Sequence, residues 1–110
     1  MHELSLSSSI LSSARRQAHG ARVSAIRVRL GVLRQVVPRC LAFCFGLAAR
    51  GTECEGASLD VETVAVRMEC ASCGAACGVR EPPLRCGACG GENVNVAAGE
   101  EFEVVSVVVE

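Results

Sequence analysis

Cys70-Ala71-Ser72-Cys73-Gly74 and, after twelve residues counted from Gly74 to Arg85, Cys86-Gly87-Ala88-Cys89-Gly90 form the stretch on which the fold turns. Two residues between cysteines let one tight turn present both thiolates to a single ion. The glycine after each second cysteine permits a positive φ, so that backbone N–H groups can turn toward the sulfurs. Two such turns complete a tetrahedral four-sulfur site with no open position, which is a structural and not a catalytic arrangement. Dithiol redox centres are disfavoured, because a thioredoxin-like motif comes singly and ahead of a helix. One iron in a rubredoxin-like site would suit the same sulfurs, and disulfides would require an oxidising compartment. Spacing and compartment favour zinc on Cys70, Cys73, Cys86 and Cys89. Cys77 is read as a spare thiol, with replacement of Cys73 as its alternative.

Around the motif, residues 67–97 hold five cysteines, two prolines and five glycines and few large apolar side chains. Such a segment needs a staple in place of a core, and the cysteines supply it. The expected organisation is an α/β body (1–66, completed by 98–110) with an inserted knuckle at 67–97. In the body, Leu6, Ile10, Ala14 and Ala18, with Leu11 beside them, give an apolar stripe that predicts a helix over 4–18, stopped at Gly20. Ile26, Val28 and Leu30 alternate with Arg27 and Arg29, which predicts a strand over 23–30. Pro38 suits the first turn of a second helix, with Leu41, Cys44, Phe45 and Ala48 on its buried face and Gly51 at its end. A second strand follows from Leu59 through Val61 toward Val66. A third covers 102–109, its alternation slipping near Val104-Val105 as a bulge or two-sided burial would produce. The fold class is therefore α+β: a small three-stranded sheet with two helices and an inserted zinc-ribbon knuckle. Cys40 and Cys44 are read as small hydrophobes on the second helix. Cys54 falls in a loop and is expected to be exposed.

Composition narrows the function. The chain has 110 residues, enough for one domain or one domain with a metal-stapled insert. A net charge of −1 and three aromatic residues, all Phe, leave neither a phosphate-binding surface nor stacking platforms for bases, so nucleic acid is not an expected partner. The first twenty residues are Ser-rich without a long apolar core, and Cys40 to Ala49 is too short to cross a bilayer. The expected site of action is the cytoplasm, where thiols stay reduced and paired cysteines serve metals. No nucleophile, base and orienting group emerge as a set, so the chain is not read as an enzyme.

His2 adds a second clue. A methionine followed by a bulky residue is retained, which leaves a free amine, backbone amides and an imidazole close together, and square-planar nitrogen coordination suits Ni(II) or Cu(II). From end to end the chain resembles the HypA/HybF family of hydrogenase nickel-insertion proteins. The resemblance rests on Met1-His2-Glu3-Leu4-Ser5-Leu6, Arg29-Leu30-Gly31 with Leu33, Val37-Pro38 with Leu41 and Phe43-Cys44-Phe45, and Gly51-Thr52. It continues through Glu55-Gly56-Ala57-Ser58-Leu59, both cysteine pairs, Gly90-Gly91 and Glu101-Phe102-Glu103-Val104. The resemblance implies a nickel metallochaperone whose three-stranded sheet and two helices form the nickel domain. It implies nickel at the N-terminus, with His2 as key ligand and the Met1 amine and the backbone near Glu3 contributing, and zinc on Cys70, Cys73, Cys86 and Cys89. It implies action with the GTPase HypB on [NiFe]-hydrogenase and, in some organisms, on urease. The apolar stretches give no expectation of a membrane partner, and monomer and homodimer both stay open as the working form. Some relatives carry histidines beside the cysteine pairs, whereas here the other histidine is His19. Many have an acidic residue next to the helix-opening proline, whereas here the sequence is Val37-Pro38-Arg39. The contrasting reading is a zinc-ribbon module that binds protein or nucleic acid and has no nickel role.

Overall fold

The structure is a computed structural model and describes residues 2–79 and 84–110. The elements run α1 (His2–Ala18), β1 (Val23–Gly31), a 3-10 turn (Val32–Arg34), α2 (Pro38–Ala48), β2 (Ser58–Val64), β3 (Val66–Cys70), β4 (Ala76–Val79), β5 (Val94–Ala98) and β6 (Phe102–Val109). They form two three-stranded sheets, ordered β2-β1-β6 and β4-β3-β5. Two compact units result. One comprises Met1–Arg29, Val36–Glu62 and Glu103–Glu110, and the other Leu30–Gln35 and Thr63–Phe102. No helix among the described residues is long and apolar enough to cross a membrane.

In the first unit, α1 buries Ser7, Ile10, Ala14 and Ala18, at spacings of three and four residues. Leu6, expected on that line, is half-buried, and Ser7 takes its place. A buried hydroxyl is tolerable because it has acceptors: Ser7 Oγ lies 2.6 Å from the Glu3 carbonyl and 3.4 Å from that of Leu41. The helix ends where His19 and Gly20 both turn left-handed, at φ 51° and 87°, and the Ala21 N–H closes onto the Ala18 carbonyl. In α2, Pro38 occupies the first turn and Leu41 and Phe45 pack inward. Ala49, one residue past the helix, completes that face, while Cys44 and Ala48 are only half-buried.

Strand β1 is central. Val23, Ile26 and Val28 face the core, and Arg29 on the other face reaches Glu62 of β2 (3.5 Å) and Glu103 of β6 (3.0 Å). This charge ladder crosses the sheet in the order β2-β1-β6 and sets opposite charges on neighbouring strands. The β1–β6 pairing is antiparallel, since Gly31 N–H donates to Glu101 O and Glu110 N–H donates to Arg22 O. Arg15 of α1 pairs with Glu53, whose carbonyl accepts the Val23 N–H, so the turn after α2 is tied both to helix and to strand.

The cysteine-bearing unit has a sheet of its own, which the composition of 67–97 did not lead us to expect. Val66, Met68 and Cys70 of β3 are buried and alternate with exposed Arg67 and Glu69. Met68 lies opposite Cys77 of β4 and Val96 of β5, and both pairings are antiparallel, with an irregularity at Arg67/Met68. The second body strand stops at Val64, and Val66, expected to continue it, begins β3. Within the same unit, Gly31 approaches the backbone so closely that a Cβ there would stand 2.1 Å from the Gly99 oxygen.

Candidate metal centre

The knuckle is built from two copies of one backbone turn. In the first, Cys70 N–H donates to Ala75 O and Gly74 N–H donates to Cys70 O, at 2.9 Å each. In the second, Cys86 N–H donates to Gly91 O at 2.9 Å and Gly90 N–H to Cys86 O at 2.8 Å. Each turn needs a left-handed residue after its second cysteine, and Gly74 and Gly90 supply it at φ 76° and 74°. β3 leads directly into the first turn. The Ala71 N–H bonds to Asn93 O, and Cys70 lies opposite Val94 of β5, which brings the chain after the second turn alongside the first.

These turns converge four sulfurs. Cys70, Cys73, Cys86 and Cys89 have ligand atoms all within 4.8 Å of one another. The Sγ separations are 3.6 Å for Cys70–Cys89 and 3.5 Å for Cys73–Cys86. A tetrahedron with Zn–S bonds of about 2.3 Å has edges of about 3.8 Å, so the donor set fits a four-thiolate zinc ion. A disulfide would need about 2.05 Å, and every cysteine is a free thiol. Cys77, on β4, is not among the four. The first cysteine of each pair is buried and the second exposed, so the cluster has a covered side and a wet side.

Backbone N–H groups tune the thiols. Donation to Cys86 from the N–H groups of Cys89 and Ala88 lowers its pKa to about 6, against the cost of desolvation. Cys70 is lowered too, chiefly by the Cys73 N–H. For Cys73, the Ala75 N–H pulls downward, but hydrogen bonds with the Cys86 and Cys70 sulfurs and desolvation outweigh it and push the thiol up to about 12. Cys89 behaves in the same sense: the Gly91 N–H lowers it, while its bonds to Cys70 and Cys86 raise it further. Four thiols in one pocket thus shed protons unevenly, and a divalent cation is the group that lets all four ionise together. The glycines signalled these amide donors in the sequence, although which residues donate was not legible there.

The remaining cysteines depart from expectation. Cys54 is buried, not exposed, and burial raises its thiol pKa. It sits in the tight turn after α2, where its own N–H is held by Thr52 Oγ1. Cys40, read as a buried hydrophobe, is exposed, because it lies on the side of α2 away from Leu41 and Phe45. At the other end of the chain, His2 opens α1 and Glu3 follows it, while Met1 lies outside the described residues.

Fold and site together define a small α+β metal-handling protein with a closed four-thiolate knuckle. The comparisons with known proteins agree along the full length. The family model described as hydrogenase/urease nickel incorporation, metallochaperone, hypA matches residues 1–109. The hydrogenase maturation factor HypA of Geobacter metallireducens is 41% identical, with all of both chains covered. That of Streptomyces avermitilis is 40% identical over 97% of this chain and 86% of the other. The solution structure of the Ni metallochaperone HypA from Helicobacter pylori shares the fold, with a TM-score of 0.67 at 23% identity, over 99% of this chain and 97% of that one. The chain belongs to the HypA family of hydrogenase-maturation nickel metallochaperones.

Proposed function

We propose that this chain binds Ni(II) through its first residues and hands it to a [NiFe]-hydrogenase under assembly, while a zinc ion on Cys70, Cys73, Cys86 and Cys89 holds the second unit in shape. Nickel is the cargo. Its ligands would be the His2 imidazole, the Met1 amine and backbone nitrogen near Glu3. The observation that carries the proposal is the family match over residues 1–109, and the convergence of the four cysteine sulfurs supports its zinc half. Helix physics supports it, because the first turn of a helix has no i−4 carbonyls for its N–H groups. Amide nitrogen there can turn toward a metal at the cost of one frayed turn and the Ser7–Glu3 hydrogen bond, while the apolar residues from Ile10 onward stay packed.

Carrier chemistry follows from that location. Few contacts break when a terminus releases its metal, which suits an ion that must be passed on. Imidazole binds metal only when neutral, so nickel affinity falls as pH drops through about 6.5. Zinc, when bound, adds four metal–sulfur bonds that close the knuckle and takes no part in the transfer. The proposed partners are a HypB-like GTPase and the large subunit of the hydrogenase, with urease as a second recipient, in the cytoplasm. No catalytic residue is assigned.

The test is elemental analysis and nickel calorimetry on untagged protein, wild type and His2→Ala. One zinc per chain in both, with nickel bound by wild type alone, is the expected result. Stoichiometric nickel in His2→Ala sinks the ligand assignment. Zinc in both with nickel in neither leaves a zinc-ribbon interaction module. A coloured protein would place iron on the four sulfurs.

A further inference from the structure

Helix α2 is apolar on both sides. Leu41 and Phe45 face the core, yet Phe43 is 68% exposed and Leu47 45% exposed, and Val37 before the helix is 47% exposed. At 100° per residue, Cys40, Phe43, Cys44 and Leu47 fall within an arc of about 100° next to the buried face. Cys40 is exposed and Cys44 half-buried, so the stripe grades from the core edge outward. A phenylalanine left two-thirds in water on a rigid helix is the kind of side chain that anchors interfaces.

Charge decides the occupant. From Val36 to Thr52 the chain carries Arg39 and Arg50 and no Asp or Glu. Both arginines are exposed, and neither is ion-paired among the described residues. A second copy laid antiparallel along α2 would set Arg39 against Arg50 with nothing to neutralise them. We propose that the stripe Cys40–Phe43–Cys44–Leu47 is the docking face for an amphipathic segment of a partner protein whose apolar residues are bordered by Asp or Glu.

The face is well placed for nickel transfer, and to that extent the inference rests on the function proposed above. Ser7 Oγ touches both the Glu3 carbonyl and the Leu41 carbonyl, so the start of α1 is packed against the first half of α2. A partner seated on α2 sits beside the end of the chain that would carry the metal.

The experiment incorporates p-benzoylphenylalanine in place of Phe43, in cells that mature a hydrogenase and lack their own copy of this chain. The crosslinked peptide is identified by mass spectrometry. The expected peptide comes from another protein and has Asp or Glu flanking apolar residues. Its yield falls at least about tenfold when Arg39→Glu and Arg50→Glu are added. Phe43→Ser with Leu47→Ser lowers hydrogenase maturation severalfold while zinc content, thermal midpoint and His2-dependent nickel affinity stay at wild-type values. A crosslink to this chain itself, a peptide bordered by Lys or Arg, no crosslink, or full maturation by the double serine variant overturns the proposal. His2→Ala in the same cells separates the two ideas. If it matures hydrogenase fully, the nickel role fails and the crosslink still reports on α2. If it blocks maturation while Phe43 finds no partner, only the docking face fails.

Discussion

At Gly31 a Cβ would stand 2.1 Å from the Gly99 oxygen and 2.5 Å from the Glu100 nitrogen, both backbone atoms that cannot swing aside. The Gly31 N–H, 2.7 Å from Glu101 O, and the Leu33 N–H, 2.8 Å from Gly99 O, fix that approach. Gly31→Ala should therefore cost about 1–3 kcal/mol, as overpacking of a close contact does, read as a lower urea midpoint of the zinc-loaded protein. Gly46 is the control. It lies inside α2, and a methyl group added there would meet nothing within 4 Å, so Gly46→Ala should stabilise by about 0.5–1 kcal/mol through helix propensity. The same sign for both substitutions would refute the steric account. Thiol chemistry is equally position-specific. In zinc-loaded protein, exposed Cys40 should alkylate first and half-buried Cys44 and Cys77 later. Buried Cys54, its pKa raised by desolvation, should react only on unfolding, and mass mapping of a quenched alkylation series checks this order. The exposure expected of Cys54 failed because a loop position says nothing about which way a tight turn folds its side chain.

The elements with strong periodicity were legible in the sequence. The β1 alternation of Ile26, Val28 and Leu30 with Arg27 and Arg29 gave a strand ending within one residue of the observed end, and β6 was expected at 102–109 and is Phe102–Val109. The sheet β4-β3-β5 was not foreseen, although Val66-Arg67-Met68-Glu69-Cys70 alternates cleanly. Its strands are four or five residues long and poor in large apolar side chains, so composition argued against a sheet where pattern argued for one. The cysteine turns were legible because Gly74 and Gly90 mark positive φ. Their amide donors make a prediction at this scale. Without zinc the turns have no fixed amides, so the four thiols titrate from near the ordinary cysteine value of about 8.5 and zinc binding at about pH 7 should release close to four protons, with apparent affinity falling as pH drops. Calorimetry in buffers of different ionisation enthalpy reads the count, and a release well below four would mean that the amides which lower Cys86 to about 6 are already in place before zinc binds.

Taken whole, the molecule divides its dependence on metal. The first unit buries Ile10, Ala14, Val23, Ile26, Val28, Leu41 and Phe45, a core that needs no ion. The second buries Leu30, Val66, Met68, Cys70 and Cys86, and two of those five belong to the four-thiolate cluster. Below a modest core size a domain needs a staple, and the binding free energy of the metal then is the folding free energy. Chelation should accordingly abolish amide protection in β3, β4 and β5 while α1, α2 and the middle of β1 keep theirs, as measured by hydrogen exchange with and without a zinc chelator. Cys70→Ala should reproduce the chelated pattern at any zinc concentration. Met68→Ala, a loss of about 2–5 kcal/mol in a core this small, should approach it but recover with excess zinc, because the four thiolates remain to draw the strands together. If chelation instead melted α1 and α2 together with the zinc unit, the two would be one cooperative body, and zinc would be a condition of the first unit's own fold.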